Sequence, residues 1–279
     1  MLAHPADLRP TALVLVGLLA AALPFALALP VAVVVPLALV SYLARAQVVV
    51  VQHNQAHLPV FRGTVGNTLF DLVLALMSGF TTPGWELQHV HGHHRHYLTP
   101  ARDPAANGRF TGPGRLQRPI FAVLGSSATL LDAWRIGSEL AGSGRRDPRP
   151  RLLAHQAVLW SVTVAALVAN PVRGLLLVLL PQLAVRCAIF WFSYRQHDGV
   201  PATGPMDASV THLGRANGFL LNVGHHTAHH DRPGLHWTEL PRRTAELRHR
   251  IPTACIRGDA QPMPSTTASA ATIASSWKP

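Results

Sequence analysis

Residues 11–40 read TALVLVGLLAAALPFALALPVAVVVPLALV, a run without one charged side chain, and the apolar character resumes through Gln47–Val51. A helix needs about 20 residues, at ~1.5 Å rise each, to cross a ~30 Å hydrocarbon core. From Ala12 to Val51 there is therefore room for two spans back to back. Pro24 and Pro30 lie near the middle, where a tight reversal belongs. Spans are expected at 12–29 and 31–51, forming a hairpin. A cleaved signal peptide fits less well, because the apolar run is too long and continues into a second one.

The same pattern returns later. Leu152–Ala169 is apolar apart from His155 and Gln156, Asn170-Pro171 marks a turn, and Val172–Tyr194 returns with Arg186 near its end. Arg186 can snorkel or face the protein interior. Asn67–Phe80 is apolar but short and carries Asp71, so it reads as re-entrant or interfacial. The expected fold is all-α and integral to the membrane: four transmembrane helices in two hairpins, over residues 1–258. The stretch 259–279, rich in Ala, Ser, Thr and Pro, reads as a disordered tail.

Composition agrees with a membrane protein. The 279 residues are 48% hydrophobic and only 13% charged, about half the charge of a soluble globular chain. Mean hydropathy is +0.21. Disorder throughout and a coiled coil are both excluded, since each needs far more charge or polarity. The net charge of +11 is nearly all arginine, with Lys278 the one lysine. In a soluble protein such a balance would suggest nucleic acid. Here Arg95, Arg102, Arg109, Arg115, Arg118, Arg135, Arg145, Arg146, Arg149 and Arg151 lie between the hairpins, while the far-side turns hold only Arg173. By the positive-inside rule both termini and the central loop face the cytoplasm, and the expected location is a bacterial inner membrane.

Most of the 17 histidines are grouped. His53-Asn54-Gln55-Ala56-His57 follows the second span, and His89-Val90-His91-Gly92-His93-His94-Arg95-His96 lies between the hairpins. His197 follows the fourth span, and His225-His226-Thr227-Ala228-His229-His230 comes near the C-terminus. Every group falls on the expected cytoplasmic side. On a helix, residues three or four apart share a face, so each group could aim two or three imidazoles at one locus. Neutral imidazole suits zinc, copper, iron and nickel. Nine imidazoles exceed what one ion accepts, so two metals are the natural count. Cys187 and Cys255 cannot supply a four-cysteine zinc or iron–sulfur site.

His-x-x-x-His, His-x-x-x-His-His and His-x-x-His-His, set around two membrane hairpins, resemble the membrane fatty acid desaturase/hydroxylase superfamily. His89 to His94, followed by Thr99-Pro100 and Asp103-Pro104, is similar to the second box of membrane alkane hydroxylases. Asn222 to Pro233 is similar to the third box of lipid desaturases, where the position of His225 is commonly Tyr. The resemblance covers roughly residues 10–241, and three boxes in order are far more specific than any one.

The resemblance implies a non-haem di-iron centre held by His53, His57, His89, His93, His94, His197, His226, His229 and His230. His91, His96 and His225 are extra imidazoles beside the boxes. His91, Asp103, His225 and Asp231 are candidates for orienting the ligands, although Asp103 before Pro104 also suits a turn. The implied activity is O₂-dependent oxidation of a fatty acyl or lipid chain: desaturation first, hydroxylation as the alternative. No segment of the chain reads as a rubredoxin-like or haem domain, so a separate ferredoxin-, rubredoxin- or cytochrome-type donor is expected. Trp85, Trp160, Trp191 and Trp237 read as interfacial anchors, and Asp71 as either a partner of the ligands or a water-facing residue. A metal transporter is the remote alternative, but transporters place their ligands near the midplane within the spans. A basic anchor for anionic lipid would leave the histidine spacing to chance.

Overall fold

The computed structural model describes residues 1–110 and 116–258. Arg115 and the expected tail at 259–279 lie outside them. The chain sorts into two compact units: Met1–His91 with Thr129–Ala188, and Gly92–Ala128 with the chain from Ile189 onward.

Among the described residues, four helices are long and apolar enough to cross a membrane. The first is α1 (Leu8–Ala26), preceded by one turn of 3-10 helix, and the second is α2 (Val31–His57). The third and fourth are α6 (Arg149–Ala169) and α7 (Pro171–Gln196). The first reversal falls at Leu27–Pro30: Pro30 caps α2, whereas Pro24 stays inside α1. The helix α2 runs past the expected end at Val51 to His57, carrying the first histidine pair on its last turns. It stops where Leu58 turns extended ahead of Pro59, because proline disfavours helical backbone in the residue before it. At the second reversal the Asn170 side chain accepts the Arg173 N–H, with Pro171 in the first helical position.

In the first unit α1 packs along α2, and a Cβ on Gly17 would overlap Ala44, so glycine permits the close approach. The Arg173 guanidinium donates to the carbonyls of Pro24 and, at 3.5 Å, Leu29, which joins the two reversals. Between the hairpins lie α3 (Thr64–Ser78) and α4 (Thr82–His96), whose axes bend by 85°. Gly79 makes the corner, with φ of 73° in the left-handed region that suits glycine. This bent pair fits the re-entrant reading of Asn67–Phe80. Thr81 Oγ1 accepts the Gly84 N–H at 3.3 Å and so starts α4. Gln52 Nε2, from α2, donates to the Phe80 carbonyl at 2.7 Å.

One expectation is corrected. The arginine-rich central segment is not simply a loop, since Gln117–Gly142 forms a 26-residue helix, α5. In the second unit, α8 (His226–Asp231) and α9 (Leu240–Leu247) close a small core of Ala228, Leu240, Leu247, Ile251, Cys255 and Ile256. A short parallel ladder joins β1 (Thr211–His212) to β2 (Ile256–Arg257).

Candidate metal centre

In the first unit, His53 and His57 lie one helical turn apart on α2, and His89 comes from α4. Ring centroids are 5.1 Å apart for His53 and His57, 4.7 Å for His53 and His89, and 5.1 Å for His57 and His89. The three can bring one ligand nitrogen each within 4.8 Å of the others. Residues Glu86–His93 are wound as a π-helix, an uncommon geometry that recurs at functional sites. Trp85 is buried and stacks on the His89 ring at 4.8 Å and 14°. It supports an imidazole rather than anchoring at an interface.

A polar clasp braces this trio. Gln55, between the two α2 histidines, donates to Asp71 Oδ1 at 2.9 Å and accepts the Val60 N–H at 2.8 Å. Asp71 is 2% exposed. Arg151, in the first turn of α6, reaches Asp71 Oδ2 at 2.8 Å and Glu86 Oε2 at 2.7 Å. Asp71 therefore faces protein, not water. Gln55 and Glu86 were not singled out in the sequence, and Arg151 only as one of the central arginines; for Glu86 and Arg151 the signal available was charge beside an apolar neighbourhood.

In the second unit four imidazoles converge: His93, His197, His226 and His230 offer one ligand atom each, all within 4.8 Å of one another. The Nε2 atom of His226 lies 3.1 Å from those of both His197 and His230, and His93 Nε2 lies 3.3 Å from His230 Nε2. Donors bonded to one ion at about 2.1 Å sit about 3.0–3.4 Å from each other, and these spacings match the edges of such a coordination shell. Protons alone cannot satisfy the arrangement, because His226 and His230 each face two neighbouring Nε2 atoms. A shared cation can. The residues present thus fit a metal ion.

The other ring nitrogens fix which atom faces inward. His197 Nδ1 donates to the Ala208 carbonyl at 2.8 Å. His93 Nδ1 meets both oxygens of Asp103 at 3.0 Å, an arrangement typical of metal-bound histidine. Burial works to raise the Asp103 pKa, but His93 and the Ala105 N–H outweigh it and hold the carboxyl below its ordinary range. Burial, followed by the charge of His93, pushes His197 down to about 3, and burial likewise drives His230 well below its ordinary value. His197 and His230, so kept neutral, have lone pairs free to face a cation. Beside them, His94 and His229 pair Nε2 to Nε2 at 3.0 Å.

Local backbone presents the third box. Leu221 and Asn222 both have left-handed φ, 48° and 58°, immediately before it. Asn217 ties the loop by donating to the His212 carbonyl at 2.7 Å and accepting the Gly224 N–H at 3.0 Å. Thr227, fully buried between the ligand candidates, bonds Ser209 Oγ and Thr211 Oγ1, both at 2.9 Å. His225 Nδ1 meets Thr244 Oγ1 at 2.9 Å. Asp231 pairs with Arg243 at 2.7 Å. His91 and His96 are half-buried and join neither cluster.

Helices able to span a bilayer and buried histidine clusters together define an integral membrane protein with a metal-binding site. The family model described as fatty acid desaturase matches residues 26–257, and the chain belongs to that family. No curated protein matches it. The family makes it an oxidoreductase of the type that acts on fatty acyl chains.

Proposed function

We propose that the chain is an O₂-dependent desaturase of a fatty acyl or lipid chain, with two non-haem irons. The observation that carries this reading is the four-imidazole cluster of His93, His197, His226 and His230, in a chain of the desaturase family. The remaining ligands the family implies are His53, His57, His89, His94 and His229. When bound, the irons supply reductive activation of O₂ and removal of hydrogen from an unactivated C–H bond. The chain's own residues do the rest. Asp103 and the Ala208 carbonyl hold the His93 and His197 rings in one tautomer, and Thr227 keeps the third box in register. The apolar spans keep the acyl chain in lipid-like surroundings, and burial of the imidazoles excludes water from the reacting carbon.

Hydroxylation of the same carbon is the second reading. It is favoured by the second box, His89 to His94 with Asp103-Pro104, which resembles that of alkane hydroxylases. The orientation we propose has both termini and the histidine clusters at the cytoplasmic face of a bacterial inner membrane, following the arginine distribution. A separate ferredoxin-, rubredoxin- or cytochrome-type donor supplies electrons, with exposed Arg95 and Arg102 as its contact. Mass spectrometry of lipids and acyl thioesters from an expressing host tests the reaction. Loss of two hydrogens marks desaturation, gain of one oxygen marks hydroxylation, and neither change rejects both. His93→Ala and His229→Ala are each expected to abolish product. Turnover in reconstituted membranes with no added donor would remove the donor from the scheme.

A further inference from the structure

The helix α5 has two sharply different faces. One is buried, with Phe121, Gly125, Thr129, Asp132, Ala133 and Ile136 at helical spacing. The opposite face is apolar as well: Ile120, Val123, Leu124, Leu130, Leu131 and Trp134 form one stripe about 120° wide at 100° per residue. Leu131 is 75% exposed, Val123 53% and Trp134 42%. An uncovered stripe of this length in water is unfavourable, at about 25 cal/mol per Å². Yet α5 is not among the helices apolar enough to span a bilayer, since Arg118, Asp132, Arg135 and Glu139 interrupt it.

Its packing says where it lies. Within the first unit, Ala133, Ile136 and Leu140 share a core with Leu152, in the first turn of α6. The Arg149 guanidinium stands 5.1 Å over the Trp134 ring and donates to Ser138 Oγ at 3.0 Å. Within the second unit, the Phe121 ring lies 6.0 Å from Phe190 and 5.3 Å from Tyr194, in the last turns of α7. One half of α5 therefore packs where a spanning hairpin begins, and the other half where that hairpin ends. A hairpin begins and ends at the same face of the bilayer. Tryptophan beside arginine at the helix's C-terminal end is the chemistry that suits the headgroup level.

We infer that α5 lies in the plane of the membrane interface, its Ile120–Trp134 stripe immersed in the acyl boundary as a monotopic anchor alongside the spans. Such helices sink about 5–10 Å into the headgroup–acyl boundary. The occupant of the stripe is lipid, not a second copy of the chain and not a soluble partner.

Single nitroxide labels test it in full-length protein in phosphatidylethanolamine–phosphatidylglycerol nanodiscs. They are placed by Leu124→Cys, Leu131→Cys and Glu139→Cys in a Cys187→Ala background; Cys255 is fully buried. All three positions are exposed, so the substitutions spare the core. Labels at 124 and 131 are expected to collide several-fold more with dissolved O₂ than with an aqueous nickel chelate, and the label at 139 the reverse. Equal access of the chelate to 124 and 131 would mean an aqueous face and overturn the inference. Immobilised labels shielded from both reagents would mean a protein partner and overturn it equally.

Discussion

Asp103 lies ten residues beyond His93 in sequence, yet its two oxygens are the partners of that imidazole's outer nitrogen. Asp103→Asn keeps the shape but weakens the anionic acceptor. Loss of such a partner typically costs 10–100-fold in metal affinity or activity. Iron per chain, measured against total protein, should fall in this variant at limiting iron and recover at high iron. Arg151 acts at a different place. Removing its guanidinium leaves Asp71, 2% exposed, with Gln55 and no cation. Arg151→Met is expected to cost about 2–3 kcal/mol, below the full value for a buried pair because Arg151 is half exposed. Thermal unfolding in detergent reads this loss directly, and Arg151→Lys should restore part of it.

Among the elements, Gly79 forms a corner that a side chain cannot occupy without strain. Its φ is 73°, and a Cβ would sit 2.7 Å from that of Gln182. Gly79→Ala should destabilise the protein by about 1–2 kcal/mol, visible as an earlier unfolding midpoint. The spans were legible in the sequence because a hydrocarbon core imposes length and hydropathy together. Their ends were less so: residues 52–57 are polar apart from Ala56 yet remain helical, since nothing breaks the ladder before Pro59. The nine ligand candidates could be named from spacing and resemblance. The groups they form could not, because the π-helical winding of Glu86–His93 has no compositional mark. Trp85 read as an interfacial anchor for the same reason: only the local winding brings it against His89. The helix α5 was hidden by its arginines, which made a two-faced helix look like a basic loop.

For the molecule as a whole, the proposed metal centre predicts a stability that depends on both metal and acid. An ion that binds only the folded chain stabilises it by about 2.7 kcal/mol at a hundredfold excess over Kd, so chelation should lower the melting temperature and iron(II) should restore it. Burial holds the His197 pKa down to about 3 in the folded protein, against 6.5 for the free side chain. Its folded pKa is depressed, so the metal-free protein should keep its stability above about 6.5 and lose it as pH falls towards 3. A melting series of the chelated protein across that window checks the sign. The ladder between β1 and β2 carries a consequence for biogenesis. Thr211 pairs with Ile256, so the loop presenting the third box is braced by a strand made well after the box itself. The ribosome must release nearly everything described before that brace can form, so the proposed metal centre predicts that ion capture at His226 and His230 comes late in synthesis.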